Sequence, residues 1–368
     1  MWRKKILDRI CPDNVDGAHD SNPLIDMRSD ILGRPTQEMI EAMTRAAKKP
    51  YTYGFREDPI TTKLEKLAAD ILAKEDALFL PTDTMANLIA ASIHCSPGQE
   101  IVAEARSHLF TLEGGNIAAF SGIMAKPING EMGMMDLGEL ELAINPGTEQ
   151  RPKTGLVWIE NTHNIAGGTV LSCDQMAAVE KVAHRLNIPV HLDGARIFNA
   201  AVFLRIPVSE LTCYADSVSI NLNKGLCAPL GAILAGKKEF IKEAERIRVM
   251  LGGGWRPTGI LAAAGIVALE KMVDRLAEDH KIAKKIAQGI ETCPGVFVDF
   301  KTVQTNLIFV QIKHSSISIE EFVSRLKAQN ILVNVVGPNR LRIAVHREID
   351  AGKAKRVIHA FQQICKSE

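Results

Sequence analysis

From residue 77 onward the chain alternates short apolar runs with helical stretches, and this alternation restricts the fold more than any other feature. The runs are ALFLP (77–81), EIVAE (100–104), GLVWIEN (155–161), PVHLDGA (189–195), SVSINLN (217–223) and GAILAG (231–236). Helical segments such as 174–186 lie between them, and before them Ile60, Leu64, Leu67 and Ile71 repeat at helical spacing. Strands separated by helices build βαβ units, so the expected class is α/β, a mostly parallel sheet flanked by helices. In such sheets ligands lie beyond the carboxyl ends of the strands. After Gly252, Gly253 and Gly254 comes a helical region, roughly 257–291. Shorter strands follow at 296–300, 306–312, 331–336 and 340–345, with helices at 319–329 and 350–365. These segments predict a loose arm over 1–24, a large α/β domain over 25–260 and a smaller α+β domain over 261–368.

Composition removes several function classes. A chain of 368 residues, 46% hydrophobic, buries a core without help from disulfides or metals. Its 44 Lys and Arg against 43 Asp and Glu leave a net charge of +1, which argues against nucleic acid as the main partner. The seven cysteines are odd in number and form no CxxC pair, so they read as reduced thiols. Without paired His, Cys or Asp at ligand spacing, no metal is expected. No apolar run reaches membrane-spanning length. The opening MWRKKILDRI is basic, yet Asp8, Asp13, Asp16 and Asp20 follow, and transit peptides are acid-poor. The expected compartment is the cytoplasm.

Polar residues gather where the apolar runs stop. PVHLDGAR passes from strand into Asp193 and Arg196, and SVSINLN passes into Lys224, about one βαβ unit later. A lysine and a carboxylate on one sheet edge suit pyridoxal phosphate (PLP), which needs an amine for its aldehyde and an anion for its pyridine nitrogen. By spacing alone, Lys224 reads better as a solvated loop lysine, and Asp193 as a turn or cap residue. PTDTMANL follows ALFL, so Thr82, Thr84 and the free amides of the next helix offer a place for a phosphate, or merely an N-cap. His163 closes GLVWIEN with Gly167 and Gly168 behind it; a loop histidine at a sheet edge is a candidate for proton transfer.

The segments SHLFTLEGG (107–115), ENTHNIAGG (160–168), HLDGARIFNAA (191–201), DSVSINLNKGLCAPLGA (216–232) and MLGGGWRPTGILAAAG (250–265) resemble, in order and spacing, the signature segments of the threonine aldolases. MRSDILGRPT (27–36) resembles their N-terminal start, and the likeness spans about residues 25 to 346. That resemblance implies the aspartate aminotransferase-like fold of type I PLP enzymes and a homodimer or homotetramer. It implies that Lys224 carries PLP, Asp193 meets the pyridine nitrogen and His108 stacks on the ring. It also implies that Thr84, the amides around Met85 and Arg256 hold the phosphate, while Ser29, Arg196 and Arg342 grip the substrate carboxylate. His163, directly or through a water shared with His108, would take the β-hydroxyl proton as the substrate splits into glycine and an aldehyde.

Several positions depart from the family pattern. Asn223 replaces a serine before the lysine, Ile31 and Val345 replace threonines, and Trp255 and Pro257 alter the glycine-rich loop. Phe55 and Arg56 stand where the family carries Tyr-Gly, near the expected substrate mouth. Asp83 introduces a negative charge into the phosphate loop, so its side chain is expected to point away from the phosphate. These changes keep other expectations open: racemisation, β-elimination or transamination on the same scaffold, or a homologue that binds PLP or an amino acid without turnover.

Overall fold

The computed structural model describes residues 22–313 and 317–366, and most of the arm expected over 1–24 lies outside the described residues. Seven strands form the main sheet: β1 (Asp76–Leu80), β2 (Glu100–Glu104), β3 (Met124–Ile128), β4 (Thr154–Glu160), β5 (Val190–Gly194), β6 (Ser217–Asn221) and β7 (Ala232–Gly236). Their order is β1-β7-β6-β5-β4-β2-β3. The strands β3, β2, β4, β5 and β6 run parallel to one another, whereas β7 is antiparallel to both β6 and β1. The exception has a simple cause. Only a short loop separates β6 from β7, too short for a crossover helix, so the chain must reverse.

The expected apolar runs are strands, and the inner ones are buried along their whole length because helices cover both faces. Alternate residues serve opposite faces. Leu78 and Leu80 pack towards α3 (Asp83–His94) and α6 (Lys238–Met250), whereas Ala77 and Phe79 join the core under α2 (Pro59–Ile71) and α7 (Gly259–Lys271). The edge strand β3 carries no sequence signal. It reads MAKPI, mostly exposed, and Pro127 is tolerated because only one side is paired.

A second, four-stranded sheet is formed by β8 (Val296–Val298), β9 (Leu307–Ile312), β10 (Asn334–Gly337) and β11 (Arg340–Ala344), in the order β8-β9-β11-β10. The run predicted as one strand over 331–336 divides: Ile331 and Leu332 pair in parallel with Ile25 and Asp26, and β10 pairs with β11. Ile25 and Met27 therefore sit in the core of the small sheet, beside Ile286, Phe322 and Phe361. Phe322 and Phe361 meet edge to face at 5.1 Å. The helical region expected over 257–291 is two helices, α7 and α8 (Leu276–Glu291).

Arg56 corrects the expectation that it alters the substrate mouth. Its guanidinium bonds Asp76 at 2.7 and 2.8 Å, Glu65 at 3.2 Å, Glu245 at 2.8 Å and the Ala77 carbonyl at 3.0 Å. Asp76 begins β1, so this cluster occupies the amino edge of the sheet, one strand length from Lys224. Glu65 is 1% exposed, and burial raises its pKa although Arg56 opposes the rise. Trp255 is likewise no mouth residue, for its ring packs on Phe79 at 5.2 Å. Removing Arg56 strands Glu65. Arg56→Met should cost about 3 kcal/mol, the low end for breaking a buried pair because Arg56 keeps 24% of its side chain in water. The loss should grow as pH rises, since the folded state then has to ionise an unpaired buried carboxyl. Urea denaturation at pH 5 and pH 8 checks both statements.

Candidate active site

Register across the sheet determines which side chains meet. Glu160 on β4 is level with Asp193 on β5, which is level with Ser219 on β6; two residues earlier Trp158, His191 and Ser217 are level in the same way. Residues level across adjacent strands face the same side, here the side covered by α3. That helix starts because Thr82 caps it, its hydroxyl accepting from the Met85 amide at 3.2 Å. One turn in, Asn87 reaches the sheet. Its Nδ2 donates to Asp193 Oδ2 and to Glu113 Oε1, both at 3.0 Å, and its Oδ1 accepts from Ser219 at 2.8 Å. Asp193 is 1% exposed and also accepts from the Ala195 amide.

His108 follows β2. Its amide donates to Glu160 Oε2 at 2.6 Å, and its Nδ1 lies 2.6 Å from Glu113 Oε1. Burial works against its charge, yet the Glu113 hydrogen bond and the nearby carboxylates of Asp193 and Glu160 lift its pKa to about 9. Ring and carboxylate ligand atoms of His108, Glu113 and Asp193 lie within 4.8 Å of one another. Nothing in the sequence singles out Glu113 beyond its place five residues after His108, ahead of Gly114 and Gly115.

Lys224 lies beyond the end of β6, half-buried. Burial and the Arg196 guanidinium lower its pKa, against the pull of Asp83, Asp30 and Asp193. A lysine held this way is more readily neutral and nucleophilic than one in water. Arg196 is itself fixed: Nε and Nη2 each bond Asp30 at 2.7 Å, and Asn306 Nδ2 adds a third donor to Asp30. Burial works against the Asp30 charge, but Arg196 holds its carboxyl far below the ordinary range. One edge of the Arg196 fork is thus committed and the other is left for a ligand. Arg342 arrives from β11, donating to Asn164 Oδ1 at 3.2 Å and to the Arg28 carbonyl at 3.0 Å. Burial and the neighbouring Arg196 lower its pKa, and its Nε is buried without a partner. Ser29 stands between the Arg28 carbonyl and Asp30, so the fold brings Ser29, Arg196 and Arg342 together.

The remaining expected residues are placed differently. His163 is fully buried. Its Nδ1 accepts from the Ala166 amide at 3.2 Å, and its Nε2 lies 3.0 Å from Glu104 Oε2 but too bent for a hydrogen bond. The turn at Gly133 seals it; a Cβ there would fall 2.5 Å from His163 Cβ. Burial disfavours its charge while Glu160 and Glu104 raise its pKa, and Nδ1 is engaged by the Ala166 amide. The expectation that His163 takes a substrate proton is therefore corrected. It ties together the ends of the 163–169 loop, its Nδ1 accepting from the Ala166 amide and its backbone pairing with Thr169. Arg256 lies over the rings of Phe55 at 4.3 Å and Tyr53 at 5.1 Å, and donates to the Tyr53 carbonyl. Its loop nevertheless reaches the start of α3, because a Cβ on Gly253 would lie 2.5 Å from Met85 Sδ. Thr84 is exposed on the first turn of α3. Asp83 does not point away: it is 7% exposed, its Oδ1 has no donor, and it lies in the field of Asp193, Lys224 and Glu113.

The set fits PLP in kind: an amine of lowered basicity, a buried carboxylate for a pyridine nitrogen, a half-exposed imidazole and paired guanidinium groups. Glu113 governs the charge on His108, so Glu113→Gln should lower the His108 pKa from about 9. A histidine-selective NMR titration reads that shift, and an unchanged His108 titration would show that Glu113 is not its control.

A match to the beta-eliminating lyase family model covers residues 26–313. Low-specificity L-threonine aldolase 1 of Arabidopsis thaliana is 38% identical over 344 residues, 92% of this chain and 96% of that protein. Low specificity L-threonine aldolase of Escherichia coli K12 is 38% identical over 313 residues, 84% of this chain and 91% of that one. The solved structure of Leishmania major threonine aldolase superposes with a TM-score of 0.82 at 19% identity, covering 93% of this chain and 99% of that one. The chain therefore belongs to the beta-eliminating lyase family, alongside the threonine aldolases.

Proposed function

We propose that this lyase uses PLP to cleave L-threonine or L-allo-threonine, and related β-hydroxy-α-amino acids, to glycine and an aldehyde. The observation that carries the reading is the convergence of Lys224 and Asp193 on neighbouring strand ends, faced by Arg196 and Arg342. PLP bound there supplies an electron sink for the charge left on Cα when the Cα–Cβ bond breaks. Lys224 holds the cofactor aldehyde, and Asp193, oriented by Asn87, faces the pyridine nitrogen. His108 covers the ring. Thr84 and the first amides of α3 receive the phosphate. The free edges of Arg196 and Arg342, with Ser29, orient the substrate carboxylate and so aim the bond to be broken.

Proton transfer falls to His108. Glu113 occupies Nδ1, so Nε2 is the nitrogen left to take the β-hydroxyl proton as the aldehyde departs. Only the neutral ring accepts a proton, and its pKa is raised to about 9, so cleavage should climb with pH towards that value. Glu113→Gln should move this rising limb to lower pH. A panel of threonine, allo-threonine, serine and phenylserine, followed through aldehyde release, tests the reaction. Borohydride fixation of the cofactor to Lys224 tests the anchor. If PLP is bound and no member of the panel yields aldehyde, another PLP reaction is at work.

No described helix is long and apolar enough to cross a membrane. The chain works in the cytoplasm as a homodimer or homotetramer. Supporting the second point, Tyr53, whose ring lies under the Arg256 guanidinium, is 87% exposed.

A further inference from the structure

Asp83 is the one carboxyl of the site that no hydrogen bond explains. It opens α3, four residues before Asn87, and shares the sheet-facing side of that helix with it. Thr82 and Thr84, its neighbours, are exposed, whereas Asp83 is 7% exposed and its Oδ1 is sealed without a donor. An ionised carboxylate in such a place lacks both water and hydrogen bonds. The charged groups that act on it most strongly belong to the site: Asp193 at the end of β5, Lys224 beyond β6, and Glu113 and His108 from the segment after β2.

Resting on the PLP reading above, we propose that the Asp83 carboxyl is a specificity residue that couples admission of a phosphate-bearing cofactor to its own protonation. The first turn of α3 attracts a phosphate through free amides and the helix dipole. Ionised Asp83 in the same turn sets a fixed negative charge against that dianion; neutral Asp83 does not, and it gains an O–H donor suited to an anionic acceptor. Burial, Asp193 and Glu113 push its pKa up to about 7, against Lys224 and His108, so the change of state falls near neutral pH. The consequence is directional. The phosphate-bearing cofactor binds better as pH falls towards 6, and binding of the phosphate-free aldehyde, pyridoxal, is affected much less.

The test measures dissociation constants for PLP and pyridoxal by quenching of tryptophan fluorescence, from pH 6 to pH 8.5, in the natural chain, Asp83→Asn and Asp83→Gly. Lys224 and the phosphate titrate over part of this range in every protein, so the difference between proteins is the readout. The natural chain should lose about tenfold in PLP affinity relative to Asp83→Asn as pH rises across the range, with little difference for pyridoxal. Asp83→Gly, checked for folding by circular dichroism, should follow Asp83→Asn. Superimposable PLP profiles in the natural chain and both variants overturn the inference while leaving the cofactor reading intact. Absence of PLP and pyridoxal binding at every pH in all three overturns that reading and the inference with it.

Discussion

Asn87 uses both ends of its side-chain amide, and the site is arranged around what it holds. Asp193 and Glu113 are acceptors, so the amide nitrogen must face them and the amide oxygen must face Ser219 and His191; the orientation is dictated by the partners. The chain of donors continues inward. His191 Nδ1 lies 2.8 Å from Ser217 Oγ, which lies 2.8 Å from His94 Nε2. Burial depresses both histidines, His191 to about 3 and His94 to about 4, so this layer supplies hydrogen bonds but no cation. The negative charge of Asp193 therefore remains available to whatever faces it from the site. Trp158, edge-on to His191 at 4.6 Å, closes the layer from the side.

The parallel sheet was legible because its strands are buried on both faces and so appear as unbroken apolar runs. Legibility ended where burial ended. β3 lies at the edge and reads MAKPI, and nothing in those five residues separates a strand from a loop. The reversal of β7 could have been inferred, since the short interval between Asn221 and Ala232 leaves no room for a crossover. The contribution of Ile25 and Met27 to the small sheet's core could not, because a two-residue pairing across the length of the chain leaves no local trace.

The site was legible to a different depth. Lys224, Asp193, Arg196 and Arg342 stand at or near strand ends in the sequence, and the fold brings them to one place. Their supports were not visible. Asp30, Glu113, Asn87 and Asn306 are ordinary polar residues until the sheet register assigns them partners. His163 shows the opposite failure. A histidine at a strand end looks like a proton carrier, but the turn at Gly133 covers it and the Ala166 amide takes its Nδ1. Arg56 fails for yet another reason: it was aligned by motif to the mouth, whereas three carboxylates at the start of β1 hold it at the far edge.

Charge balance within the site explains why Asp83 is the unsettled member. Asp30 is matched by Arg196, and Glu113 by the imidazolium of His108. Asp193 and Glu160 are held by amide donors, Asp193 within the field of Lys224 and Glu160 within that of Arg196. Each of these carboxylates accepts at least two hydrogen bonds, whereas the buried Asp83 Oδ1 accepts none. A carboxyl without partners gives up its charge before those that have them. Protonation of Asp83 thus relieves the site of an uncompensated charge without disturbing any bond that positions Asp193 or His108. The face of α3 that presents Asp83 presents Asn87 one turn later, so one helix carries both the most fully bonded group of the site and the least.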